Sequence, residues 1–242
     1  DRGLLSMLFF LIVGTILTVI VQSSSATVAL TLIMAAKGWI DFPSAAAMVM
    51  GENLGTTLTA NLAAIPANIS AKRAAFAHFI FNVLGLVWLT IAFNFFVELV
   101  DTIIGGITSV HPDGMQSFLA SLSPEEYTQI TTLSRSELSP ELAALQSEYL
   151  NYQASTSYGL SLFHTLYNIC NVLIMIWFVK LYEKICLAVI RPKRGEEEDE
   201  EVDIQGFCPE KNQGGGRHGT CHDVACRGGH PHPEDHGEDH GG

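Results

Sequence analysis

Apolar residues fall into four long blocks, 4–36, 43–66, 74–100 and 159–190, separated by polar stretches. A helix crossing about 30 Å of hydrocarbon needs about 20 apolar residues, so this spacing predicts a polytopic, all-α membrane protein. Two of the blocks are interrupted. Leu4–Val21 runs into Gln22-Ser23-Ser24-Ser25 before the apolar character resumes over Ala26–Ala36. The simplest geometry for this pattern is a re-entrant hairpin with its polar tip at mid-membrane and its mouth near Lys37-Gly38-Trp39. In the second block, Gly51-Glu52-Asn53-Leu54-Gly55-Thr56-Thr57 separates Pro43–Met50 from Leu58–Pro66. Two glycines around Asn and Thr disfavour a continuous helix, which predicts a broken helix, unwound at its centre. Blocks 74–100 and 159–190 predict two transmembrane helices, the second continuing as helix past the membrane at Lys180, Glu183 and Lys184.

The polar connector 101–158 carries its own helix signals. Ser123-Pro124-Glu125-Glu126 and Ser139-Pro140-Glu141-Leu142 each place a capping hydroxyl, a first-turn proline and an acid at the positive helix end. Short helices are expected near 124–135 and 140–154, forming a structural cap or, less simply, a binding site. The predicted organisation is a repeat core at 1–100, an extracytoplasmic helical loop at 101–158, a final transmembrane helix at 159–194 and a disordered acidic, His-rich cytoplasmic tail at 195–242.

Charge refines this picture. The net charge is −12, but residues 195–242 hold 13 acids against three bases, whereas 1–194 hold 12 acids and ten bases. The acidity belongs to the tail. No basic patch points to nucleic acid. Lys72 and Arg73 lie between the second and third blocks, and Lys184, Arg191, Lys193 and Arg194 follow the fourth, while 101–158 carries seven acids and Arg135. Basic short loops stay in the cytoplasm, so 66–73 and 191–242 are expected inside, 101–158 outside, and the hairpin mouth outside as well. That is the pattern of a multi-pass protein of the cell inner (cytoplasmic) membrane. The five cysteines form no disulfide framework. The first residue, Asp1, reads as the truncated end of a longer protein. In the tail, His218, Cys221, His222 and Cys226 with later histidines can bind Zn²⁺ or Ni²⁺, adventitiously or by design. The abrupt change of composition after Arg194 is also compatible with an altered reading frame.

The interrupted blocks are where chemistry belongs. Hydroxyls and freed carbonyls at a mid-membrane tip are hard oxygen ligands for Na⁺, the hydroxyls can also donate to the oxygens of an oxyanion, and a pair of interrupted apolar segments is a pointer to a transporter site at the bilayer midplane. The competing reading is that Ser and Thr bond back to backbone carbonyls or join helices. No Gly-x-Ser-x-Gly is present, and the glycine-containing run lacks the lysine of a phosphate loop. No enzymatic reading follows, and no organic cofactor is implied. His78…Phe81-Asn82 and His164…Tyr167-Asn168 each put His and Asn on one helix face, as helix-to-helix hydrogen bonding or as a pH-sensitive gate.

Gln22-Ser23-Ser24-Ser25-Ala26-Thr27, followed by Gly51-Glu52-Asn53-Leu54-Gly55-Thr56-Thr57, resembles the sodium/phosphate cotransporters of type II and their bacterial relatives. The likeness continues through Lys72-Arg73-Ala74-Ala75-Phe76-Ala77-His78, Phe81-Asn82 and Phe163-His164-Thr165-Leu166-Tyr167-Asn168. It implies one inverted repeat, the C-terminal one, of a carrier performing sodium-coupled symport of inorganic phosphate. Gln22, Ser23, Ser24, Ser25 and Thr27 would then form the substrate and ion tip, with Asn53, Gly55, Thr56 and Thr57 opposite. Na⁺, the coupling ion, would sit at Ser24, Ser25, Thr56 and Thr57. Glu52, His78, Asn82, His164 and Asn168 would be accessory, Glu52 either binding Na⁺ or facing a polar pocket. One Gln-Ser-Ser-Ser occurs where the family carries two, so the resemblance implies a second repeat as partner, in a missing N-terminal half or another copy. The alternatives are a non-transporting half or fragment, or a Na⁺-coupled carrier of another anion.

Overall fold

A computed structural model describes residues 3–192. The expected tail at 195–242 and its His/Cys cluster lie outside the described residues. Among the described residues the fold is all-helical with no strand, as the block pattern predicts. The helices are α1 (Leu4–Val21), α2 (Ser24–Ala36), α3 (Phe42–Ala64), α4 (Ile69–Thr108), α5 (Met115–Ser121), α6 (Pro124–Thr132), α7 (Pro140–Met175) and α8 (Val179–Val189).

The polar run at 22–25 makes a helical corner. Gln22 ends α1 in the left-handed conformation, φ 55°, donating its N–H to Thr18 O. Ser23 then caps α2, its hydroxyl accepting from Ala26 N. An αL residue followed by an N-cap reverses the chain in two residues. Gly38, φ 72°, turns it again before Asp41, whose carboxylate accepts from Ser44 N at 2.8 Å to cap α3. Gln116 of the connector donates to Gly38 O at 2.8 Å, so the hairpin mouth and the connector lie at one end. Arg73 Nε donates to Ile190 O at 3.2 Å, which brings the two basic segments together at another place on the bundle.

The broken helix is not found. α3 runs without interruption from Phe42 to Ala64, because its glycines serve packing rather than unwinding. A Cβ on Gly51 would collide with the carbonyl of Leu11, one on Gly55 would stand 2.7 Å from Thr15 O, and one on Gly14 would collide with the carbonyl of Met48. Residues 11–18 of α1 therefore lie backbone to backbone against 48–55 of α3. Gly51-x-x-x-Gly55 is a small-residue stripe for close helix approach. The helix stays satisfied because Thr56 and Thr57 donate to the carbonyls of Glu52 and Leu54, at 2.9 and 2.7 Å.

The long apolar blocks are also divided differently from expectation. Both Ser-Pro starts are helix starts, and Ser123 with Glu126 forms a reciprocal capping box. However, α6 ends at Thr132, and α7 does not stop near 154. It continues to Met175, because no proline interrupts it and its one glycine, Gly159, is filled against Pro112 and Phe42. Cap and final block are thus one helix, which a 3₁₀ turn at Ile176–Phe178 separates from α8. Helix α5 was not anticipated. With Ile130, Tyr149 and the stacked pair Phe118–Tyr152, its Met115 and Phe118 build a small separate core.

Among the described residues, α1 and α4 are the helices long and apolar enough to cross a membrane. α7 has the length, but His164, Asn168 and Asn171 dilute its apolar run. Their outward faces carry large apolar side chains, Leu5 83 % and Ile91 85 % exposed. Such faces suit hydrocarbon rather than water.

Candidate functional site

The tip, α3, α4 and α7 converge on a cleft of about 480 Å³. Ser24 and Ser25 contribute from the first turn of α2, Asn53 and Thr56 from α3, His78 and Asn82 from α4, and His164 and Asn168 from α7, with Val28, Ala29, Leu32 and Phe81 completing the walls. Residues from both sequence motifs and from both His/Asn stripes therefore share one cavity.

Its polar groups are arranged from several helices. His164 Nε2 lies 3.2 Å from Asn53 Oδ1, an α7-to-α3 bond. The amide nitrogen of Asn53 is buried without a hydrogen-bond partner. The two stripe asparagines behave differently from the expected cross-helix bonding: Asn82 donates to His78 O at 3.0 Å and Asn168 to His164 O at 2.8 Å, each within its own helix. Ser23 and Ser25 hydroxyls are 3.4 Å apart. The first backbone N–H groups of α2 have no intrahelical acceptor, and a helix N-terminus carries partial positive charge. The cleft thus combines hydroxyls, amide donors and a positive helix end, which is donor chemistry for an anion's oxygens.

Other candidate residues stand apart from this cavity. Gln22 forms the corner, Ser23 caps α2, and Gly55 faces α1. Thr57 is fully buried. Thr27 is buried between the arms, its hydroxyl 3.2 Å from that of Thr18 and donating to Ser24 O at 3.0 Å. Glu52 points to α2 rather than into the cleft. It is 1 % exposed, its Oε1 accepts from Thr31 at 2.6 Å, and its Oε2 has no partner.

Sequence reasoning missed Thr15, Thr18 and Thr31. Thr15 donates to Leu11 O and Gly51 O at 2.9 and 3.0 Å, so a hydroxyl-lined seam runs between α1, α2 and α3. A signal was available, since Ser23, Thr27 and Thr31 recur every four residues on one face of α2.

The helical hairpin, the polar cleft and the apolar exterior are features compatible with a membrane-embedded bundle. Residues 6–107 match the profile of the Na⁺/Pi-cotransporter family, the family that the paired motifs resemble. Among curated relatives, the Bacillus subtilis protein YqeW is 39 % identical over 93 residues, 37 % of this chain and 30 % of that protein. A Salmonella typhimurium protein with the name "Putative inorganic phosphate export protein YjbB" is 28 % identical over 180 residues, 74 % of this chain and 24 % of its own length. Mouse sodium-dependent phosphate transport protein 2C is 42 % identical over 91 residues, 36 % of this chain and 15 % of its own length. The chain thus spans less than a third of the length of each of these relatives. No solved structure matches it.

Proposed function

We propose that this chain is one repeat of a multi-pass carrier of the cytoplasmic membrane that couples Na⁺ entry to the movement of inorganic phosphate. The observation that carries the proposal is the convergence of Ser24, Ser25, Asn53 and Thr56 on one cleft, within a segment that matches a Na⁺/Pi-cotransporter profile. Phosphate oxygens accept from the Ser24 and Ser25 hydroxyls, from the free N–H groups opening α2 and from the unpartnered Asn53 amide. His164 orients that amide through Asn53 Oδ1. Na⁺ is held by the hydroxyl oxygens of Ser24, Ser25 and Thr56, where its charge offsets the anion in a low-dielectric site. In this reading the α1–α2 hairpin is re-entrant, and its tip reaches the bilayer midplane. Ser24 and Ser25 are exposed, and a second repeat, from a longer protein or another copy, covers them. Alternating access follows from rocking of one repeat against the other.

The test is ³²P-phosphate movement in proteoliposomes, with the chain alone and with a Gln-Ser-Ser-Ser-bearing N-terminal half supplied. Na⁺-dependent flux abolished by Ser24→Ala, with insertion unchanged, supports the proposal. Flux unaffected by Ser24→Ala removes the site, and competition by sulfate or a carboxylate better than by arsenate reassigns the anion. The direction of the Na⁺ gradient that drives flux separates uptake from export.

A further inference from the structure

The end of the bundle opposite the connector holds a second cavity. It measures about 420 Å³ and lies between the C-terminal turn of α3, the start of α4 and the end of α8. Its walls are of two kinds. Ile65, Ile69 and Ile190 are apolar, whereas Asn61, Lys72 and Arg191 are polar or basic. Asn61 is fixed, donating to Thr57 O and Ala75 O at 2.8 and 2.9 Å. Arg73, beside Lys72, ties α4 to the last turn of α8 through Ile190 O. Asn68 caps α4 at this place, accepting from Ala71 N at 2.9 Å, so the positive end of a 40-residue helix adds to the basic side chains.

The charge balance here is one-sided. Residues 61–80 and 179–192 contain Lys72, Arg73, Lys180, Lys184 and Arg191 against the single acid Glu183. Around the cavity the surface is apolar and outward-facing: Leu62, Ile65, Leu187 and Val189 are all more than 45 % exposed. α8 itself is amphipathic, burying Tyr182 and Cys186 while Leu181, Leu187 and Val189 face out. A basic, polar pocket ringed by exposed aliphatic side chains matches a molecule with an anionic head and hydrocarbon tails, and such pockets on the cytoplasmic side of membrane helices suit acidic lipid head groups. A free anion would use the bases but leave the aliphatic ring without a partner.

We infer that the α3–α4–α8 pocket binds the phosphate head group of an anionic phospholipid, with Lys72 and Arg191 on the phosphate and the Ile65 and Val189 faces along the acyl chains. The inference rests on the membrane reading above and is independent of the phosphate cleft, since no transport is needed to test it. Full-length chain is equilibrated with an equal mixture of phosphatidylglycerol and phosphatidylcholine in detergent, and the retained lipids are counted by native mass spectrometry. Enrichment of phosphatidylglycerol is expected, falling about fivefold for each base neutralised in Lys72→Gln and Arg191→Gln. Arg191→Lys keeps the charge and retains most of the enrichment. Equal retention of the two lipids, or enrichment indifferent to both Gln variants, overturns the inference. So does displacement of the lipid by millimolar inorganic phosphate, which marks an anion site. Enrichment that emerges only when the six acids of 196–201 are changed to Gln or Asn also overturns it, since the chain's own acidic run would then be the occupant.

Discussion

Replacing Gly51 by Ala tests the central correction to the sequence reading. In a helix interior, Ala is favoured over Gly by about 1 kcal/mol, so an isolated α3 gains from the change. In the bundle, the new methyl would meet the Leu11 carbonyl, with its carbon 2.8 Å and the Thr15 nitrogen 2.9 Å away. Ordinary carbon contacts need about 3.5–4.0 Å, and all these atoms are backbone, so no side-chain rotation relieves them. α1 must move away by about 1 Å, losing its fit along α3 and the Thr15–Gly51 bond. Overpacking of this kind costs about 1–3 kcal/mol, and more where the backbone resists. Gly106 is the control, because a Cβ there meets nothing within 4 Å. Gly106→Ala should raise the melting temperature in detergent by about 2–4 °C per kcal/mol gained, whereas Gly51→Ala should lower it despite the same propensity gain. If Gly51→Ala stabilises the chain as Gly106→Ala does, the close α1–α3 contact is refuted. The glycines would then have to be explained by an unwound α3 after all.

Thr31→Val removes the hydroxyl that bonds the buried Glu52 carboxyl and should cost about 1–3 kcal/mol; a Thr31→Val/Glu52→Leu double variant should recover most of this in chemical denaturation, and strict additivity would refute their coupling. His164→Ala leaves Asn53 Oδ1 without its partner and should raise the KM for phosphate more than it lowers kcat, with insertion unchanged; an altered kcat alone would place His164 elsewhere in the cycle. In the connector, hydrogen bonds from Ser123 hold the Glu126 carboxyl below the usual carboxylate range, as those from Ser134 do for Glu137. A depressed folded value means stability present above the unfolded value of about 4.3 and lost as pH falls through the folded one. The protection of α6 amides, taken relative to the intrinsic exchange rate at each pH, should therefore fall below about pH 4.3, and Glu126→Ala, which removes the cap, should show the lower protection already at neutral pH with no such dependence.

The elements legible in the sequence were those whose local chemistry has one solution. A Ser-Pro-Glu run can hardly do other than open a helix, and both such runs do. Four hydrogen-bonding side chains between two apolar arms had to form a corner, and they do so at Gln22 and Ser23. The Gly51–Thr57 run had two solutions, since the letters that permit unwinding also permit backbone contact. The deciding information lay thirty-seven residues earlier, in Gly14, whose position on the facing helix requires the same closeness. The ends of α7 were illegible for a similar reason: the polar residues of the connector and the apolar residues of the final block all favour helix, and only a break would have separated them. Most cleft residues were named from the motifs and stripes, but the bond from His164 to Asn53 spans 111 positions, and no local pattern encodes it. Thr31 was passed over because a threonine in an apolar helix is unremarkable until a buried carboxyl is found against it.

The continuity of α7 bears on how the cleft can be addressed from a distance. Tyr149, in the core of the connector, and His164, in the cleft, belong to one uninterrupted helix, separated along it by about 22 Å at 1.5 Å per residue. The connector is therefore no mere lid. It is the handle of a rod whose far end carries a wall of the cleft, so an antibody fragment that tilts the handle must also displace that wall. A binder raised against the cap becomes a remote control for the cleft.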